Sequence, residues 1–312
     1  MGKTAFIFPG QGSQYVGMGK DFYENSALCR EIYERAGKAS GLDVAALCFE
    51  ENEQINITEY TQIAMLATEV AMLRALEEKG VYADVCGGLS LGEYGALAAA
   101  RVMEDDDIFR IVRKRGIYMQ QAVPTGGAMS AILGLDRAVI EEVCEQTPGE
   151  VSVANYNCPG QIVITGKQEA VSEAMDRLKE AGAKRCVPLN VSGPFHSPML
   201  AGAGEELAKE LESAALHPMK IPYIANVTAD YVKDLSEVKP LLARQVSSPV
   251  KWQQTIERML ADGVDTFVEI GPGKTLSGFM KKITRGSDIT YQMFSVEKWE
   301  DLDKVVEGVS AC

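Results

Sequence analysis

Ser90 stands between two glycines, Gly88 and Gly92, in the stretch GGLSLGEY at 87–94. A serine hydroxyl becomes a useful nucleophile only when a base takes its proton. It is best presented on a sharp turn from a strand into a helix, where flanking glycines let the backbones pass closely. The G-x-S-x-G spacing alone is common, because both residue types are. Its meaning depends on a base, on two backbone N–H groups able to hold an oxyanion, and on a group that selects the substrate. Only two histidines are present. His217, in LHPMK, reads as a surface connector between a helix and a strand. His196, in SGPFHSPML, lies in a loop that Pro194 and Pro198 keep out of helix, and is the better base. One oxyanion donor would be the N–H of Leu91, the residue after the serine. The second would be that of Gln11, in the loop PGQGSQ after the first strand. That loop also reads as an ordinary turn, but not as a phosphate cradle, since it lacks G-K-[ST]. Arg113, Lys114 and Arg115 are consecutive on a predicted helix and cannot share a face. Either one turns inward toward an anionic group or all three are solvated.

Ser90 needs a strand before it and a helix after it. The apolar run Ala5–Phe8 ends at Pro9-Gly10 and predicts a buried strand of a parallel α/β sheet. Residues 61–79 predict a helix from the spacing of Ile63, Leu66, Val70, Leu73 and Leu76, stopped by Gly80. A short strand at Ala83–Cys86 then leads to the Ser90 turn, and the alanine-rich LGEYGALAAARV predicts the next helix. The acidic run Glu104–Asp107 reads as a helix N-terminus. Between Pro124 and Asn190 the pattern changes to strand, helix, two strands joined by Cys-Pro-Gly, amphipathic helix, strand. This βαββαβ order predicts a ferredoxin-like subdomain over 125–190, inserted into a larger α/β body made of 1–124 and 191–312.

The bulk properties restrict partners and place. The 312 residues carry a net charge of −13 and are 46% hydrophobic. That balance argues against nucleic acid and against an anionic membrane surface as partners. Seven scattered cysteines, with no C-x-x-C, read as free thiols of a reducing compartment. No signal-like or membrane-length apolar run is visible, so a cytoplasmic protein is expected. Two histidines exclude a histidine-rich metal site, and the expected metal and cofactor complement is none. Without heptads or long apolar surface runs the chain reads as a monomer.

Taken together, the motifs resemble the family of malonyl-CoA:acyl-carrier-protein transacylases and the related acyltransferase domains of polyketide synthases. The stretches that carry the resemblance are FPGQGSQ (8–14), GLSLGEYGALAAA (88–100), RG (115–116) with MQQAVPTGGAM (119–129), NYNCPGQIVITG (155–166), GPFHSPML (193–200), SSPVKW (247–252) and VEIGPGKTLSG (268–278). They run in family order over nearly the whole chain. The resemblance implies an α/β-hydrolase-like body and a ping-pong reaction. Ser90 attacks the malonyl thioester, His196 accepts the proton, CoA leaves, and the phosphopantetheine thiol of acyl carrier protein takes the acyl group. Malonyl-CoA is then a substrate and no cofactor is needed. The N–H groups of Gln11 and Leu91 hold the oxyanion. Arg115 pairs with the free malonyl carboxylate, for which a guanidinium is suited by its two parallel donors. The backbone carbonyl of Gln245 orients the imidazole in place of an aspartate. Gln62 falls where the family has a polar residue at the cleft. Phe195 matches the phenylalanine of malonyl-accepting polyketide relatives. One departure is Leu89, where the family usually has histidine.

Three other readings stay open from sequence: an acyltransferase serving a polyketide synthase, a hydrolase, and a non-catalytic carrier-binding subunit. Acidic carrier proteins would need a local basic patch on this acidic chain. The candidate is GKTLSGFMKKITRG, where a helix from about Leu276 would bring Lys281, Lys282 and Arg285 to one side.

Overall fold

The computed structural model describes residues 2–191 and 193–310. Ten strands, β1 (Lys3–Phe8), β2 (Val85–Gly88), β3 (Gly127–Leu133), β4 (Val151–Cys158), β5 (Gln161–Lys167), β6 (Arg185–Pro188), β7 (Tyr223–Ala225), β8 (Asp230–Tyr231), β9 (Val264–Ile270) and β10 (Gln292–Val296), divide between two sheets. The larger has the order β10-β9-β1-β2-β7-β8 and is parallel except for β8. From β1 the chain goes to β2 on one side and only later to β9 on the other. The order therefore reverses at β1, and the loops beyond the carboxyl ends of β1 and β2 flank the crevice where such sheets bind ligands. The helix Thr58–Glu78 covers this sheet. The spacing of its leucines suggests one apolar face, but it is buried all round, Ala64, Met65, Ala67, Met72 and even Glu69 included, and it starts three residues earlier than predicted. Small residues between the large ones allow elements to close on every side.

The second sheet, antiparallel with the order β4-β5-β3-β6, carries the helices Arg137–Gln146 and Gln168–Glu180. The fold is therefore α/β, a body with a parallel sheet plus a βαββαβ unit of ferredoxin-like order. Strand β4 is tied to the body: Tyr156 N–H donates to the Val250 carbonyl at 2.9 Å and Val250 N–H to that of Ala154 at 2.8 Å. Among the described residues no helix is long and apolar enough to cross a membrane. Cys29, Cys48, Cys86, Cys144, Cys158 and Cys186 are free, and Cys312 lies outside the described residues.

Two predicted boundaries shift. The strand before the serine is Val85–Gly88 rather than Ala83–Cys86. Glycines are poor strand formers, so sequence ends the strand too soon. Close packing requires them here: a Cβ on Gly88 would lie 1.9 Å from the Gly92 carbonyl oxygen. The basic helix spans Thr275–Ile283, so Arg285 falls in the turn beyond it and does not extend the face of Lys281 and Lys282.

Candidate functional site

Ser90 follows β2 directly and precedes the helix Gly92–Ala100. Its φ of 55° is left-handed, a conformation that costs a residue with a Cβ on the order of 1–2 kcal/mol. The turn passes tightly over β1: Leu89 N–H donates to the Phe8 carbonyl at 3.0 Å, and a Cβ on Gly92 would lie 2.2 Å from that same oxygen. Both glycines of G-x-S-x-G are thus demanded by close backbone approach.

His196 lies in the loop that returns from the small sheet, also at positive φ (60°), with its N–H on the Val246 carbonyl at 3.2 Å. The Ser90 Oγ to His196 Nε2 distance is 2.7 Å, and Nδ1 lies 2.9 Å from the Gln245 carbonyl. A carbonyl only accepts, so Nδ1 carries the hydrogen and Nε2 is left to accept the serine O–H. The ring is buried. Burial first, and the nearby Arg115 charge second, push its pKa down to about 4, opposed by the bond to Gln245. It is therefore neutral near pH 7.

Arg115 resolves the question of the three basic residues. It is 1% exposed, whereas Arg113 pairs with Glu59 at 3.1 Å and lies over the Tyr60 ring, and Lys114 stays near the surface by Glu210. Its guanidinium donates to Gln62 Oε1 (2.7 Å), Gln245 Oε1 (2.9 Å) and Ser90 Oγ (3.2 Å). Among the described residues no carboxylate lies within salt-bridge distance to neutralise it, and its Nε has no partner. Burial lowers its pKa. A buried cation held by neutral acceptors and aimed at a serine oxygen has the chemistry to receive an anion.

These groups open on one cavity of about 290 Å³ between the body and the small sheet. Gln11 and Leu91 line it, and neither N–H has an acceptor among the described residues. The Gln11 side chain is held away by Thr58 Oγ1 at 3.0 Å. Phe195 forms a wall, and Leu89 lines the cavity with its side chain partly buried against the apolar layer behind β1. The helix Thr275–Ile283 gives Leu276 and Phe279 to the cavity. Its Lys281 and Lys282 are exposed, with Lys282 Nζ on Gln161 Oε1 at 2.9 Å, and Gln161 is itself at the cavity edge.

Three side-chain contributions are not evident in the sequence. Gln245 supplies its side chain as well as its carbonyl, since Nε2 donates to the Ser90 carbonyl (2.9 Å) and to Glu93 Oε2 (2.6 Å). Glu93 is fully buried beneath the serine, and burial raises its pKa to about 7 against the lowering effect of Gln245 and Asn226. Asn226 lies directly after β7 and bonds the Ser90 turn. Glu93 reads from sequence as an acidic residue in a helix's first turn, and Asn226 carries no local signal at all.

Comparison with known proteins finds relatives over nearly the whole chain. The family described as acyl transferase domain matches residues 5–296. A malonyl CoA-acyl carrier protein transacylase of Bacillus subtilis is 43% identical over 290 residues, covering 91% of this chain and 92% of the relative. The crystal structure of the transacylase of that name from Clostridium perfringens superposes with a TM-score of 0.93 at 41% identity, covering 99% of this chain and 98% of that one. A malonyl-transacylase solved in complex with its type II polyketide-synthase acyl-carrier protein superposes at 0.94 with 38% identity, over 98% of this chain and 99% of that one.

Proposed function

This chain belongs to the acyl transferase family, and from that premise we propose that it moves malonyl groups from malonyl-CoA to the phosphopantetheine thiol of an acyl carrier protein. Ser90 Oγ attacks the thioester carbonyl while its proton passes to His196 Nε2, and the N–H groups of Gln11 and Leu91 take the oxyanion. Collapse expels the CoA thiolate, which receives that proton, and leaves a malonyl ester on Ser90. The carrier thiol then gives its proton to His196, attacks the ester, and regenerates the serine. The chain's own groups and two substrates suffice, so the reading calls for no metal or cofactor. The observation that carries it is the Arg115 guanidinium 3.2 Å from the oxygen that would bear the acyl group. In a malonyl ester the free carboxylate is two bonds from the ester carbonyl carbon, so a cation this close fits a short dicarboxylic acyl group and has no use for a plain fatty one.

The test is to label the protein with radioactive malonyl-CoA, isolate it, and add carrier protein or water. Transfer to the carrier supports the reading. Rapid release of free malonate makes the chain a hydrolase, and absence of label makes it a binding subunit.

The carrier's landing place is proposed at Lys281 and Lys282, because their helix also lines the cavity and Lys282 touches its rim. Lys281→Glu with Lys282→Glu is expected to raise KM for the carrier and flatten its salt dependence, since exposed charges are screened over about 10 Å at 0.1 M salt. KM for malonyl-CoA should move much less. Initial rates against carrier concentration at two salt levels decide it, and an unaltered carrier KM at low salt rules the patch out.

Phe195 borders the site beside His196 and is 6% exposed, so its ring limits room at the α-carbon of the acyl group. Phe195→Ser is expected to improve methylmalonyl transfer relative to malonyl. The gain is bounded by the worth of one methyl in a pocket, about 1–3 kcal/mol. Competition between the two thioesters measures it, and an unchanged ratio in a folded variant assigns the branch to other residues.

A further inference from the structure

A left-handed serine with a side chain on an adjacent helix start does not hold itself in place. The backbone contributes Leu89 N–H on Phe8 and Gly92 N–H on the Leu89 carbonyl, each at 3.0 Å. The Ser90 carbonyl takes the Glu93 N–H at 3.2 Å and Gln245 Nε2 at 2.9 Å, and the Ser90 N–H and the Gly88 carbonyl are met by a side chain 136 residues further on. Asn226 Oδ1 accepts the Ser90 N–H at 2.6 Å, and Asn226 Nδ2 donates to the Gly88 carbonyl at 2.6 Å. One amide thus clamps the two peptide groups on either side of Leu89. Asn226 is itself fixed: it is fully buried, its N–H donates to Glu93 Oε2 at 3.1 Å, and its carbonyl accepts Lys251 N–H at 3.0 Å. The Glu93 oxygen also takes Gln245 Nε2, and Gln245 bonds the Ser90 carbonyl, the His196 ring and Arg115.

We propose that Asn226 is a positioning residue for Ser90, its side-chain amide bridging Gly88 and Ser90 so that the hydroxyl stands on the His196 imidazole. The proposal rests on the reading of Ser90 as the acyl-carrying nucleophile. Asparagine fits because the clamp needs an acceptor and a donor on one small planar group. Alanine would leave a half-buried N–H and a buried carbonyl without this partner, and the turn would relax. An ionised aspartate would keep the acceptor but turn its second oxygen against the Gly88 carbonyl. A protonated aspartate restores the bridge, its O–H replacing the amide N–H.

The experiment measures the rate of malonyl-enzyme formation on Ser90 in full-length Asn226→Ala and Asn226→Asp, with circular dichroism to check folding. Asn226→Ala is expected to acylate about 10²-fold more slowly, the scale of a small misplacement of a reacting group. KM for malonyl-CoA should stay within about threefold, because Arg115 makes no bond to Asn226. The distinguishing signature is the pH profile of Asn226→Asp. Around that position lie Glu93 on the backbone N–H, Arg115 and His196 reached through Gln245, and Tyr94 and Tyr223 near Glu93. These titrate in the parent too, so the ratio of variant to parent rate is the readout. That ratio is expected to be about tenfold higher near pH 5 than near pH 8, because the clamp survives only with the new carboxyl protonated. A purely structural residue would lower rates equally at all pH. Asn226→Ala acylating within about threefold of the parent, or an Asn226→Asp ratio flat across that range, overturns the proposal. Should Asn226→Ala fail to fold, the near-isosteric aspartate decides alone. A parent protein whose label sits elsewhere than Ser90 overturns the functional reading as well, and so the two failures are told apart.

Discussion

Ser90→Ala is expected to abolish the malonyl-enzyme: after incubation with labelled malonyl-CoA and precipitation, the variant should carry no counts where the parent carries one acyl group. The fold should survive, because among the described residues the side chain of Ser90 bonds only His196 and Arg115, and each keeps other partners, the Gln245 carbonyl for the ring and Gln62 with Gln245 for the guanidinium. Alanine also tolerates the φ of 55° about as well as serine does, since both carry a Cβ. His196→Ala should slow acylation by at least ~10², the usual scale for losing a general base. The base must be neutral to act. With its pKa lowered to about 4, the parent's acylation rate should rise through that pH and stay level through neutrality instead of bending near 6.5. A stable acyl-enzyme in Ser90→Ala, or normal rates in His196→Ala, would remove the two residues from the chemistry.

The fold was legible wherever local pattern and tertiary role agree. The small subdomain is the best case: its helices Arg137–Gln146 and Gln168–Glu180 each bury one stripe, and β3, β4 and β5 are short, largely buried runs, so the βαββαβ order appears in the residues themselves. The body was less legible where elements are buried on all sides. The helix Thr58–Glu78 has no polar face to mark its limits, and β2 ends in two glycines that look like loop. Ser90 and His196, which the structure brings to 2.7 Å, could be paired in the sequence because the serine sits in a recognisable turn and histidines are few. That Arg115 rather than Arg113 faces inward was also present in the sequence, as the stripe Ile108, Ile111, Val112, Arg115, Met119 at helical spacing, all buried. What could not be read are contacts whose partners are far apart in the chain. Asn226 stabilises a turn formed 136 residues earlier through an amide that any loop asparagine has. The bond from the Gln245 side chain to Glu93 spans 152 residues. Neither leaves a local pattern, because only the packed body brings these side chains together.

Arg115→Ala is expected to remove malonyl transfer selectively. Truncating one partner of a buried charge pair costs about 2–5 kcal/mol, and here the pair forms only when the malonyl carboxylate enters. The loss should therefore appear in kcat/KM for malonyl-CoA, while acetyl-CoA, with no carboxylate to place, falls far less or gains. The same cation acts on the base. Arg115 is the second cause, after burial, of the lowered His196 pKa. Without it the imidazole pKa should move up from about 4 towards, but not reach, its ordinary 6.5, because burial persists. The acid limb of acetyl transfer by Arg115→Ala should shift to higher pH than in the parent, with a stronger base above it. A malonyl carboxylate bound to Arg115 would have the same effect in the parent, so that the correct substrate strengthens the base that acylates it, whereas an acetyl group leaves it weak. Selectivity would then come partly from the base and partly from binding. Parallel pH–rate profiles for malonyl-CoA and acetyl-CoA in parent and variant test this. Equal losses for both thioesters would make Arg115 structural, and an acid limb unmoved by its removal would show that burial alone sets the imidazole.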